Sequence, residues 1–227
     1  MGMAAKAIAY YRRHGLGGLL RRCVRPLRRL RRWVWRRQRY VIAVKSIRGA
    51  EPPAEHADVT FREATHEDAG QIAEQFAEHF GPDGQALVVE ALDAGDRAII
   101  GVSAEDGRTI VCISWLSRRD ALLRTLLGGQ IGAEDICHRR LFVPAEFRRR
   151  HLAAREVQFV EPLAGHSGVE RIWGFIETAN EASQKLMERL GYDVHGLLEI
   201  SCFLGRRRAR VRRQGQKTWQ RLDARYA

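Results

Sequence analysis

One stretch constrains the fold more than any other, and it runs from Asp135 to Tyr192. It opens with a strand-like run, Cys137 to Val143, and turns at Pro144. It then enters a helix whose first turn, Arg148 to Ala153, is crowded with arginine. A second strand spans Glu170 to Glu177, and a second helix runs from about Asn180 to Leu190, closed by Gly191. Strand, helix, strand, helix with short joints predicts a sheet with helices packed on it. A helix start also exposes unpaired N–H groups at the positive end of the helix dipole. Placed beside arginines, it suits a phosphate.

The residues at this joint carry a family resemblance. Arg148-Arg149-Arg150-His151-Leu152-Ala153 stands where the GNAT superfamily of acetyl-CoA-dependent N-acyltransferases carries R/Q-x-x-G-x-G/A. Val143 and Phe147 stand where that family has a valine and an aromatic. The strand RIWGFIET, then Asn180, Ser183 and Leu186, and the closing Leu190-Gly191-Tyr192 also resemble the family. Upstream, FREATHEDAGQIAEQF is similar to its opening strand and first helix. The resemblance covers roughly residues 57 to 204. It implies an α/β fold with a mixed central sheet flanked by helices, and acetyl-CoA as co-substrate.

Charge divides the chain in three. Residues 1–50 hold 15 Lys or Arg and no acid, and residues 205–227 hold 9 basic residues and one acid, Asp223. Of the total of 39 basic and 27 acidic residues, 15 and 26 remain for residues 51–204, so an acidic body carries two basic extensions. That asymmetry points to a polyanionic partner. The division read from it is an arm at 1–50, an acyltransferase-like domain at 51–204, and a basic strand or tail at 205–227.

Within the arm, Leu16, Leu19, Leu20, Cys23, Val24, Leu27, Leu30 and Val34 recur at helical spacing, with arginines filling most of the remaining surface and Pro26 interrupting the pattern. Residues 4–13 read as a short helix before it. Trp33 and Trp35 are of the type favoured at a membrane boundary. Three readings stay open for this amphipathic helical arm: packing on the body, binding an anionic membrane surface through residues 1–40, and, third, binding nucleic acid, for which no module is recognisable. Residues 37–47 read as a strand, an added edge to the sheet, and 49–56 as a linker.

The body opens with a strand at Val59 to Arg62. Thr65 is a helix N-cap with Asp68 completing a capping box, and the helix runs to about Phe80. A helix from Gln85 to Leu92, strands at 97–103 and 109–117, and a helical insertion within 118–133 follow. After Tyr192 come one or two closing strands, then a tail that is either a strand with a frayed end or a disordered arm. No window holds eighteen apolar residues, which predicts no transmembrane helix. The N-terminus lacks the h-region of a secretory signal. The four cysteines are widely spaced, which predicts reduced thiols in a cytoplasmic protein, peripheral at the inner membrane face if the arm binds lipid. The histidines and cysteines show no metal-ligand spacing, so no metal is expected.

What the resemblance implies for chemistry is direct acetyl transfer to a small-molecule or peptide amine. The backbone from Arg149 through Arg150, His151 and Leu152 to Ala153 would hold the pyrophosphate, with Arg148 and Arg150 adding charge. The backbone of Phe142 and Val143 would pair with the pantetheine amides, and a strand N–H would polarise the thioester carbonyl. Asn180, with Ser183, would bond the cofactor arm. Two positions depart from the family: His151 stands at its usual glycine, and Met187 where many members have a proton-donating tyrosine. Candidates for the general base are Glu134, Asp135, His138 and Glu177, of which His138 and Glu177 are carried forward. Two other readings follow from these departures and from the arm. One is a catalytically silent relative that binds CoA, a membrane or a partner, and the other an acyltransferase acting on a polysaccharide or lipid-linked sugar.

Overall fold

The computed structural model describes residues 35–49, 57–81, 83–204 and 206–223. The helix at 4–13, the apolar stripe from Leu16 to Val34 and most of the linker lie outside them. Nine strands form one sheet in the order β2-β3-β4-β5-β6-β1-β7-β8-β9. They are β1 (Trp35–Ser46), β2 (Val59–Glu63), β3 (Arg97–Ser103), β4 (Ile110–Ser117), β5 (Asp135–Phe142), β6 (Arg171–Glu177), β7 (Asp193–Phe203), β8 (Arg206–Arg213) and β9 (Gln220–Leu222). All neighbours are antiparallel except β5 and β6, so the sheet is mixed.

The strand read as an added edge is not at an edge. β1 lies between β6 and β7, pairing Tyr40–Ser46 with one and Trp35–Val44 with the other. Its alternation explains this. Ala43 enters the cluster on one face of the sheet and Ile42 the cluster on the other, so both faces of the strand carry apolar side chains. Lys45 adds a tie, its Nζ donating to both oxygens of Glu161 at 2.7 Å.

Among the described residues, six helices cover the sheet. On one face, α5 (Leu152–His166) and α6 (Glu181–Arg189) bury Val157, Val160, Ala164 and Met187 against Ile99, Leu116, Ile136, Ile172 and Ala43. On the other, α1 (Ala69–Gln75), α2 (Ala77–Phe80) and α3 (Gly84–Asp93) cover β3 and β4 through Ile72, Phe76 and Val88. The insertion is α4 (Ala121–Leu126), which places Leu123 and Leu126 over Cys137, Trp173 and Ile42. Its start is capped by Asp120, whose carboxylate accepts from Leu122 and Leu123 at 2.9 and 3.0 Å.

Some boundaries differ from the sequence reading. The helix expected from Thr65 to Phe80 is broken at Phe76, with a 3-10 turn at His66–Asp68 ahead of α1. Phe76 is 1 % exposed, and its ring meets that of Phe142 edge-on at 5.5 Å, a tertiary contact that overrides helical periodicity. The capping box at Thr65 and Asp68 is present. The basic tail forms β8 and β9, extending the sheet beyond β7.

Candidate cofactor site

β5 and β6 run parallel, yet they pair over only three positions: Asp135 with Arg171, Ile136 with Ile172 and Cys137 with Trp173. Beyond them β5 continues to Phe142 and β6 to Glu177 without pairing to each other, so the sheet opens as a wedge. Two features keep it open. β6 turns its upper half to β1 alone, from Gly174 to Glu177. β5 carries a bulge against β4, because Ile113 pairs with Phe142 and Trp115 with Arg139, leaving Arg140 and Leu141 opposite Ser114. Arg140 takes φ 55, the left-handed conformation that such an extra residue adopts.

The closed end is pinned by Asp135, 3 % exposed, which accepts from Arg171 at 2.6 and 2.8 Å and from the indole of Trp173 at 2.7 Å. Burial pushes its carboxyl up, and the donors from Arg171 and Trp173 outweigh that and hold it below the ordinary value. Asp135 is therefore a clamp, fully engaged away from the wedge's mouth. Glu134 is exposed and faces Arg171 at 3.4 Å on the same end.

At the open end the chain leaves β5 through Val143 and Pro144, makes a 3-10 turn at Ala145–Phe147, and enters α5 at Leu152. The arginines thus precede the helix instead of forming its first turn. Val143, Phe147 and Leu152 pack with Val59, Val111 and Phe61, which anchors the loop from below. Arg148 donates from Nε to the Val143 carbonyl at 3.1 Å, and the Arg150 guanidinium lies 5.7 Å from the Phe147 ring. Arg149 (φ 66) and His151 (φ 57) are both left-handed. Left-handed residues at this spacing turn neighbouring N–H groups toward one side, which is the geometry of a nest.

Hydrogen bonding agrees. Arg148 N–H bonds back to Ala145, and Ala154 and Arg155 N–H both bond the His151 carbonyl. Among the described residues, the five amides between them, 149 to 153, have no protein acceptor. His151 thus takes the conformation a glycine would supply, at a cost of about 1–2 kcal/mol, and its side chain is exposed instead of buried in the loop.

The remaining candidates are dispersed. Asn180 caps α6, its side-chain oxygen accepting from the Ser183 N–H at 3.1 Å. Met187 is 8 % exposed and belongs to the core under α5, so it fills space at the position of the family's tyrosine. Tyr192 is also core, and burial, followed by the charges of Glu161 and Glu156, pushes its hydroxyl well up. Glu177 is exposed at the open end of β6. His138 points under α5, with its side chain 1 % exposed and Nε2 3.3 Å from Glu156.

Glu156 is what sequence reasoning missed. It is 0 % exposed, and it accepts from the Ser114 hydroxyl while facing His138. This buried trio joins α5 to β4 and β5 directly beneath the bulge. The signal was available: Glu156 sits between Leu152 and Val160 on the helix's apolar stripe, where a carboxylate needs buried partners. Among the described residues no group of side chains could hold a metal ion, and no helix is long and apolar enough to cross a membrane. Cys112 and Cys137 are free, and burial above all raises both thiols.

A wedge between parallel strands, a bulge beside it and a nest at the following helix start agree with what matches the sequence. The acetyltransferase (GNAT) family matches residues 56–192. This chain belongs to that family. Solved structures agree in fold. The glucosamine N-acetyltransferase region of a fungal multi-domain β-N-acetylglucosaminidase superposes with TM-score 0.58 at 13% identity, over 78% of this chain and 22% of that one. A Drosophila protein gives 0.55 at 16%, over 81% and 57%. A GCN5-related N-acetyltransferase from Sphaerobacter thermophilus gives 0.53 at 16%, over 78% and 54%. This GNAT chain spans less than two thirds of the length of each. Among curated proteins none matches it.

Proposed function

We propose that this GNAT protein transfers an acetyl group from acetyl-CoA to the amine of a small molecule or peptide. One observation carries the reading: five consecutive amides, 149 to 153, stand without acceptors at the start of α5, beside strands that part after three pairs. A pyrophosphate offers the oxygens those amides lack, and Arg148 and Arg150 add charge-assisted contacts. Such a donor set fits the phosphates of CoA, and the thioester it brings supplies the activated acetyl group.

The protein's own groups divide the work. The nest residues hold the phosphates. Backbone groups of Phe142 and Val143, at the end of β5, hold the pantetheine arm in the wedge. The bulge at Arg140 and Leu141 aims strand N–H at the carbonyl oxygen, where negative charge develops during attack. Asn180 and Ser183 border the arm at the start of α6. Glu177, at the open end of β6, takes the proton from the amine, directly or through water. His138 is sealed beneath α5, and its part is to hold Glu156 and the bulged strand in register. With Met187 and Tyr192 both in the core, the departing thiolate receives its proton from water at the mouth. The arm at residues 1–40 places the enzyme at the inner face of an anionic membrane, in the cytoplasm.

Calorimetric titration with acetyl-CoA tests the binding half. The expected result is saturable heat from the wild type and affinity lowered about 10–100-fold by Arg148→Glu, as for loss of a charged hydrogen bond. No heat from the wild type would rule out the reading in favour of a silent relative. A thiol-release screen against amines, amino sugars and peptide N-termini then identifies the acceptor. With that acceptor, Glu177→Gln should lower kcat about 100-fold or more while leaving acetyl-CoA affinity unchanged.

A further inference from the structure

The helices α5 and α6 cover β3 to β6 and the lower part of β1, through Ile99, Leu116, Ile136, Ile172 and Ala43. The same face of the sheet continues past them onto the upper part of β1 and onto β7, β8 and β9. Alternation fixes what it presents there. Arg39 lies across from Glu199 and Arg37 from Ser201 on β7; Arg210, Arg208 and Arg212 lie across from Glu199, Ser201 and Leu197; and Arg221 of β9 lies across from Arg210. Seven arginines, Arg206 among them, therefore share one sheet face that no helix covers among the described residues, with Asp223 directly after β9 and the carboxylate of Glu199 between them.

That carboxylate is saturated. Glu199 is 3 % exposed and accepts from Arg37, Arg39 and Arg210, with Nε of Arg39 at 2.8 Å and Nε of Arg210 at 2.6 Å. It fixes three guanidiniums and neutralises one. Trp219 orders two of the set, its ring 4.9 Å from the Arg210 guanidinium and 5.4 Å from that of Arg212. The flanking sequence adds little neutralisation, because the 34 residues that lead into β1 contain no acid and residues 205–227 contain one, Asp223.

The face ends in an apolar tip. Phe203 and Leu204, where β7 turns into β8, are 48% and 66% exposed, and Leu204 is left-handed at φ 48. Arg206 pairs across from Phe203, and Trp35, where the chain enters the sheet, pairs with Phe203 on the other side. An exposed Phe-Leu pair set among arginines has the composition of an interfacial anchor, with apolar groups for the acyl boundary and guanidiniums for the headgroup phosphates. A nucleic-acid strand would instead seek an aromatic platform for its bases. Here the most exposed side chain of the tip is the aliphatic Leu204, and the Trp219 ring is already taken up by two guanidiniums.

We infer that the arginine face of β1, β7, β8 and β9, tipped by Phe203 and Leu204, docks on a bilayer containing anionic phospholipid. It is a second attachment surface, separate from the residues that precede β1, and it stands beside the mouth of the wedge. β1 continues from Tyr40, the partner of Glu177, to Trp35 beyond the end of β6.

The test is sedimentation of the full chain with phosphatidylcholine vesicles, with and without phosphatidylglycerol, without acetyl-CoA. The wild type should bind only the anionic vesicles, and less in high salt. Arg208→Gln with Arg212→Gln should weaken that partition about thirtyfold. Leu204→Ser should weaken it several-fold, with thermal melting unchanged in both variants. Arg28→Gln with Arg32→Gln reports on the arm separately. If the face variants sediment like the wild type, this face is not the docking surface, and the arm reading stands. A wild type that ignores anionic vesicles overturns both, as does displacement from vesicles by a stoichiometric single-stranded oligonucleotide. None of these outcomes touches the acetyl-transfer reading, which calorimetry decides.

Discussion

The two ends of the β5–β6 pair are built on opposite principles. At the closed end donors meet acceptors: Arg171 and Trp173 bond Asp135, and the Glu170 and Arg171 amides share the Glu134 carbonyl at 2.9 Å. At the open end, a strand's length away, five amides have none among the described residues. Buried polar groups left unpaired cost about 1–3 kcal/mol each, so the nest is tolerable because it is open to solvent. The comparison teaches a division of labour. One end holds the strands together so that the other can part and receive an anion.

This contrast can be broken at either end. The largest effect on stability is expected from Asp135→Ala, which strands a buried indole N–H and a guanidinium. With Arg171 partly exposed, the loss should be about 2–3 kcal/mol, read as a lower urea midpoint. Acetyl-CoA affinity of the folded protein should not change; a parallel loss would show that the ends are not separable.

Next comes Ala153→Pro, which removes one nest amide at a helix position that tolerates proline. Affinity should fall about tenfold or more, as for one hydrogen bond to a charged group, with melting nearly unchanged. Retained affinity would mean that the phosphates sit elsewhere.

A smaller effect concerns pH. Asp135 at the closed end and Glu199 in the arginine face are both raised by burial, but more strongly held down by their donors. Because their folded pKa values lie below the unfolded ones (about 3.9 and 4.3), they contribute stability that is full above that range. It is lost as pH falls through the folded values. Urea unfolding should therefore be flat from about pH 7 to 5 and weaken below about pH 4, and Asp135→Asn should flatten the decline.

The smallest effect is at His151. Glycine there relieves the left-handed strain but loosens the unfolded chain, so His151→Gly should change stability by no more than about 1 kcal/mol and keep acetyl-CoA affinity. His151→Val, a β-branched residue at positive φ, should lower melting.

Much of the site was legible because its signals are local. A strand followed by Pro144, arginines and an apolar helix can be read within twenty residues, as can the cap at Thr65 and the helix start at Asn180. What escaped depends on partners far away in the chain. Nothing in YVIAVKSI tells whether the strand lies at an edge or between two others, because pairing with residues 171–177 and 193–203 is a tertiary choice. Phe76 reads as one more residue on a helical stripe, and only its contact with Phe142 breaks the helix. Glu156 sits on the apolar stripe of its helix, but the partners that make its burial tolerable, Ser114 and His138, stand on strands far from it in the chain. The conformation of His151 was invisible because the sequence offered no glycine to announce it.

The place of β1 sets a timetable for making the protein. Its strand leaves the ribosome early, but the partner on one side begins at Arg171, 125 residues after Ser46, and the partner on the other side comes later still. At roughly 5–20 residues per second, the nascent β1 waits on the order of 6–25 s with both ribbon edges unsatisfied. The charges of Arg37, Arg39, Lys45 and Arg48 are of the kind that disfavours pairing of an unsatisfied strand with neighbouring chains until the sheet closes around it.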